Sequence, residues 1–260
     1  DPFWQKPQLG IEAARQEVID FGVDIDHFYF SLFDSQSFKN SSVALLESNP
    51  DAVLIATEFY SQAESFFKIA TERKIPVLCI NTLITEFPTL GYIGQDSFQS
   101  GVLAGRLFDI SVPNLNGIVT LNIGARSIEQ KHLLHKEQGL HYYFDENDKL
   151  VHISEVDLVS FMDQVQLEKE LKEILDPLTF QGIFITNSRA YHIIPVLRSL
   201  GYTDKCIIGF DLLAENQEFL QSGDIDFIIN QDPVKQGSLA IKTLFSYLLE
   251  KQQPNQFNRH

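Results

Sequence analysis

Three apolar runs in the second half of this 260-residue chain stop in the same way. Phe184-Ile185-Thr186-Asn187, Ile207-Ile208-Gly209-Phe210-Asp211 and Phe227-Ile228-Ile229-Asn230-Gln231 each finish on a polar side chain able to bind a hydroxyl. Each is followed by a stretch that can start a helix. Strand-then-helix repetition of this kind constrains the chain to an α/β architecture built on parallel strands. In such sheets ligands bind in the crevice at the carboxyl ends of the strands. Asn187, Asp211 and Gln231 are therefore expected to line one crevice. An amide can donate and accept, and a carboxylate accepts strongly. That set suits a ligand rich in hydroxyls, such as a sugar.

The alternation runs through the whole chain. Segments with helical spacing fall at Trp4–Phe21, Ser37–Ser48, Gln62–Glu72 and Asp96–Phe108. Between them lie apolar runs at His27–Leu32, Ala52–Ala56 and Pro76–Asn81, with a short one at Tyr92–Gly94. Gly101 and Gly105, four apart, are expected to allow close helix–sheet packing. Ser111–Asn116, with Pro113 and two asparagines, reads as a linker. The pattern then restarts, from a strand at Gly117–Leu121 and a helix at Ile128–Phe144 to a last helix at Val234–Glu250. This predicts two doubly wound lobes, residues 1–110 with 234–252 and residues 111–233. The first half lacks an opening strand, and Asn255–His260 stops as if a strand should follow. Both ends are expected to be cut.

Composition removes several classes of function. At 44% hydrophobic the chain can bury a sizeable core. A formal charge of −15 repels phosphate backbones, so nucleic acid is not expected to bind this segment directly. Cys79 and Cys206 sit in apolar runs and read as core residues. No metal-ligand spacing, Gly-x-Gly-x-x-Gly, phosphate loop or Gly-x-Ser-x-Gly elbow is present. No cofactor, metal or enzymatic turnover is expected. No apolar run approaches the ~20 residues of a membrane span.

Four groups of residues carry a resemblance. The strongest is Ile208-Gly209-Phe210-Asp211, Leu220-Gln221-Ser222-Gly223, Asn230-Gln231-Asp232-Pro233 and Gln236-Gly237, in that order and spacing. The others are Asp1-Pro2-Phe3-Trp4 before Gly10-Ile11-Glu12-Ala13-Ala14; Gly94-Gln95-Asp96 before Gly101 and Ala104-Gly105; and Lys136 before Gly139-Leu140. Together the chain resembles the type I periplasmic-binding-protein fold, shared by ribose-binding proteins and the effector domains of lac-repressor-type regulators. The resemblance implies two lobes joined by crossing hinge segments, at Ser111–Asn116, near Gln231–Pro233 and in the tail 253–260. It implies a ligand held between the lobes, and an aromatic at Phe3 or Trp4 against a sugar ring. It also implies ligand contacts from Asp96, Lys136, Asn187, Asp211 and Gln231. Lys136 stands where the family often has arginine, and lysine lacks the planar bidentate fork. His132, one turn earlier, and Arg126 are further candidates.

Each candidate has a plainer explanation. Asp96, Asn187 and Asp211 can be helix N-caps. Gln231 can be a turn residue, Phe3 and Trp4 core, Lys136 a solvated helix position, and Arg126 a salt-bridge or surface residue. The phrasing of the C-terminal run leans toward a regulator: cytoplasmic, homodimeric, and bound to DNA only through a module outside this segment. A periplasmic sugar receptor is the alternative.

Overall fold

The computed structural model describes residues 2–32, 34–57, 59–124, 130–159, 161–176, 178–252, 254 and 257–259. Its elements, in chain order, are α1 (Pro2–Val18), α2 (Ser35–Glu47), β1 (Val53–Ile55), α3 (Tyr60–Glu72), β2 (Val77–Ile80), β3 (Gly91–Gly94), α4 (Ser97–Ser111), β4 (Gly117–Ile123) and α5 (Lys131–Glu146). There follow β5 (His152–Leu158), α6 (Gln164–Leu175), β6 (Gly182–Ile185), α7 (Ala190–Ser199), β7 (Cys206–Phe210), α8 (Ala214–Ser222), β8 (Phe227–Ile229), α9 (Pro233–Leu249) and β9 (Phe257–Arg259). Two compact units result, residues 1–95 with 231–260 and residues 96–230.

The second unit holds a five-stranded sheet in the order β5-β4-β6-β7-β8, parallel throughout. Side chains alternate across a strand, so each strand feeds two cores. Val119, Leu121, Ile123, Ile183 and Ile185 pack toward Leu167 and Leu171 of α6 and Ile193 and Leu197 of α7. Ile118, Phe184, Ile208 and Phe210 pack toward Ala104 and Phe108 of α4 and Leu140 and Phe144 of α5. Covering both faces explains why these strands read as continuous apolar runs.

The first unit repeats the plan with the parallel sheet β1-β2-β3-β9. Val53, Ile55, Val77 and Cys79 meet Phe38, Phe66 and Phe67 on one face. Leu78, Ile80 and Ile93 meet Ala240 and Leu244 of α9 on the other. Burying each such side chain contributes about 1.5–3 kcal/mol. The two doubly wound parallel sheets expected from the sequence are present.

Four expectations need correction. The run His27–Leu32 is not a strand. It keeps a strand-like alternation, with Phe28 and Phe30 half-buried and His27 and Tyr29 exposed, but β1 ends the sheet and no ladder is formed. The division expected at 110/111 falls at 95/96, because α4 packs on α5. Ser111–Asn116, expected as a hinge, therefore lies inside the second unit. The tail expected as a third crossing instead supplies β9, parallel to β3 in the first unit.

The glycines work between helices, not against the sheet. A Cβ on Gly101 would overlap the Lys136 carbonyl oxygen, and one on Gly139 the Phe98 carbonyl oxygen. In the first unit the same holds for Gly10 against the Val234 carbonyl and Gly237 against the Pro7 carbonyl. Each unit thus contains one helix pair, α4 with α5 or α1 with α9, crossing backbone to backbone. No helix among the described residues is long and apolar enough to cross a membrane.

Candidate functional site

In the second unit the ends of β4, β6 and β7 come together. Asn187 follows β6. Its Nδ2 donates to the Ile123 carbonyl at 2.8 Å, and its Oδ1 accepts from the Arg189 N–H at 3.3 Å. Asn187 does not cap α7, whose N-cap is Arg189; it closes a local turn and braces β4.

Asp211 follows β7 and is 3% exposed. It does not cap α8, whose N-cap is Leu213. Asp211 adopts a left-handed backbone, φ 61°, and its carbonyl accepts the Leu213 N–H at 2.8 Å. A non-glycine residue held in that region marks a place where the surroundings dictate the conformation.

Lys136 reaches these loops from α5. It is 2% exposed, so its helix face is buried rather than solvated. Nζ donates to the Thr186 carbonyl at 2.7 Å and lies 3.5 Å from the centre of the Phe210 ring. Burial pushes the ammonium down to about 7, against the pull of the Asp211 carboxylate. Around neutral pH this amine can thus be charged or neutral.

His132 is half-buried overall, but its Nδ1 is shielded from solvent and has no hydrogen-bond partner among the described residues. Desolvation, then the charges of Lys136, His135 and Arg189, push its pKa down to about 3. It is a neutral imidazole at physiological pH. Arg126 lies outside the described residues.

Asp96 begins the second unit, although the division expected at 110/111 placed it in the first lobe. It is half-buried and caps α4, accepting from the Gln99 N–H at 3.1 Å. The first unit carries Phe3, Trp4 and Gln231. Phe3 is buried and Trp4 half-buried, edge to face at 5.1 Å. Gln231 is buried, and Gln236 Nε2 donates to its carbonyl at 2.8 Å. Asp232 caps α9 through the Lys235 N–H at 3.3 Å.

Sequence reasoning missed a buried polar chain beneath Lys136. Thr186 Oγ1 donates to Asn122 Oδ1 at 2.5 Å. Asn122 Nδ2 donates to Glu137 Oε1 at 2.6 Å and to Asp157 Oδ1 at 2.8 Å. The available signal was spacing, since Leu133, Lys136, Glu137, Leu140 and Phe144 share the buried stripe of α5. Arg189 was missed too. It donates to the Ile123 carbonyl at 2.8 Å and stands 5.3 Å from the Phe161 ring. No sequence signal marked Asn216, and Gln236 stood out only as part of the Gln236-Gly237 pair. No group of three or more His, Cys, Asp or Glu among the described residues could hold a metal ion.

Two parallel α/β units, with polar side chains at strand ends beside a buried lysine and carboxylate, define a small-molecule binding architecture. The periplasmic binding protein domain matches residues 1–252, and the chain belongs to that family. A comparison with curated proteins finds no match. Among solved structures, a provisionally assigned LacI transcriptional regulator from Bacteroides fragilis is 29% identical with a TM-score of 0.89, covering 99% of this chain and 89% of that one. A transporter solute-binding protein from Burkholderia graminis in complex with D-arabinose is 18% identical, with a TM-score of 0.84 over 98% of this chain and 88% of that one. One from Agrobacterium vitis bound to α-D-tagatopyranose is 20% identical, with a TM-score of 0.83 over 100% and 88%. The last two likenesses are of fold.

Proposed function

We propose that this chain is the sugar-binding effector domain of a lac-repressor-type transcription regulator. In this reading Asp211, Asn187 and Lys136 grip hydroxyls from the second unit. Asp96 contributes a carboxylate, and Gln231 with Trp4 or Phe3 contributes from the first unit. Closing of the two lobes on the ligand alters DNA binding by a homodimer through a helix-turn-helix module outside this segment. The protein works in the cytoplasm and binds without turnover.

The observation that carries the reading is the buried Asp211 at the end of β7, held out of its helix cap beside the Lys136 ammonium. A buried carboxylate at a strand end is placed to accept ligand hydroxyls in charge-assisted bonds. The acid and the lysine offset one another, which favours a neutral sugar. The likeness to the Bacteroides fragilis protein supports the regulator. The arabinose- and tagatose-bound neighbours support the second reading, a periplasmic sugar receptor serving a transporter or sensor kinase.

The test is a mobility-shift titration of the full-length protein on DNA from its own promoter region. A retarded band whose salt-dependent affinity changes at least tenfold with one sugar supports the regulator. A leader with a small-residue cleavage site in the roughly 60–80 codons upstream, and no retardation, supports the receptor.

A further inference from the structure

Asn216, in the first turn of α8, is fully buried. Its Nδ2 faces three carbonyl oxygens: Ser188 at 2.9 Å, Asp211 at 3.0 Å and Phe210 at 3.1 Å. Its Oδ1 accepts the Tyr191 N–H at 3.0 Å. Ser188 lies in the turn after β6, which carries Asn187, and Tyr191 in the first turn of α7. Phe210 ends β7 and Asp211 opens the turn after it. One amide therefore ties together the two loops on which the ligand contacts stand. Two amide hydrogens shared among three acceptors require at least one bifurcated bond.

Plainer roles do not account for this arrangement. Asn216 does not cap its own helix, because Leu213 occupies the N-cap. A leucine would fill similar space but would leave buried carbonyls facing an alkyl group. The left-handed Asp211 backbone, φ 61°, persists only where its surroundings over-determine it, and Asn216 holds its carbonyl.

We propose that Asn216 is a positioning residue, one that fixes Asp211 and Asn187 relative to each other and so sets which hydroxyl pattern the site accepts. The inference rests on the reading of those two residues as ligand contacts. It deepens that reading by naming what holds them.

The test uses the Lys136 amine as a local reporter, because Phe210 and Asp211 are its neighbours. Lysine labelled with 13C at Cε is titrated by NMR in the whole chain, with Lys136→Met assigning the signal. The parent midpoint lies near 7. In Asn216→Ala, with cooperative unfolding retained, the midpoint is expected to move by more than about half a pH unit, as the loop shifts its carboxylate and admits water. Gln217→Ala, exposed on the same helix, leaves it in place. Should Asn216→Ala fail to fold, Asn216→Ser, which keeps one donor, gives the reading instead. A midpoint unchanged within half a unit overturns the proposal. Where D-arabinose or D-tagatose binds the parent, their affinity ratio is expected to change about tenfold in the variant, and an unchanged ratio also overturns it. Failure of both sugars to bind bears on the ligand reading alone, and the titration then decides this one.

Discussion

The ammonium of Lys136 lies 3.5 Å from the centre of the Phe210 ring. The face of an aromatic ring carries partial negative charge and attracts a cation. The residue after Phe210 is Asp211, so the end of β7 offers ring and carboxylate in succession to a lysine arriving from α5. The Thr186 carbonyl completes the cradle from β6. These attractions only partly offset the loss of water, and burial leaves the amine titrating near 7 instead of 10.5.

This gives a signed pH dependence. Between about 7 and 10.5 the unfolded chain holds a proton on Lys136 that the folded chain has lost. Stability rises with pH where the unfolded state binds more protons. The penalty of the buried charge is thus fully present below about 7 and is relieved as pH climbs to 10.5. Urea unfolding of the parent and of Lys136→Met is expected to show their difference shifting toward the parent from pH 6.5 to pH 9.5. A difference independent of pH contradicts the assignment.

His132 works at the acid end with the same sign. Its folded pKa of about 3 lies below the ordinary 6.5, so between these values the unfolded chain again binds the extra proton. Stability is expected to fall as pH drops below 6.5, and His132→Gln should flatten that acid limb. Thermal melts from pH 7 to pH 4 read the slope, and identical slopes would refute the buried neutral imidazole.

The helix crossing predicts a steric cost. Gly101→Ala places a methyl group on the Lys136 carbonyl, and the partner there is main chain, which cannot swing aside. The expected loss is about 1–3 kcal/mol of unfolding free energy in urea, the usual range for overpacking. A loss within about 0.3 kcal/mol would mean that α4 and α5 separate freely.

The polar chain predicts non-additivity. Asn122→Leu removes the amide that joins Glu137, Asp157 and Thr186, and is expected to cost about 2–4 kcal/mol. Adding Glu137→Leu should recover part of that loss, because one buried carboxylate goes with its lost donor. A double variant as unstable as the sum of the singles would show that Asn122 and Glu137 act independently.

Much of the fold was legible because strand-then-helix repetition leaves few architectures, and apolar runs running into Asn187 and Asp211 marked the ends of β6 and β7. What escaped depended on partners distant in sequence. Gly101 announced close packing, but only the contact with Lys136 shows that its partner is a helix. His27–Leu32 had strand chemistry and no neighbour to ladder with. Lys136 looked like a surface charge because a charged residue on a helix is usually solvated, although its spacing with Leu133 and Leu140 placed it inside. Asn216 could not be found by inspection, since its role exists only once Ser188, Tyr191 and Phe210 converge on it.

The central claim is tested most directly by thermal unfolding of the chain against neutral sugars, sugar phosphates and purines, with Asp211→Ala alongside. A ligand at about 100 times its Kd adds roughly 2.7 kcal/mol of apparent stability. The account predicts such a shift with a neutral sugar, and its loss in a folded Asp211→Ala. No shift with any neutral sugar, or a shift that survives the substitution, would contradict it.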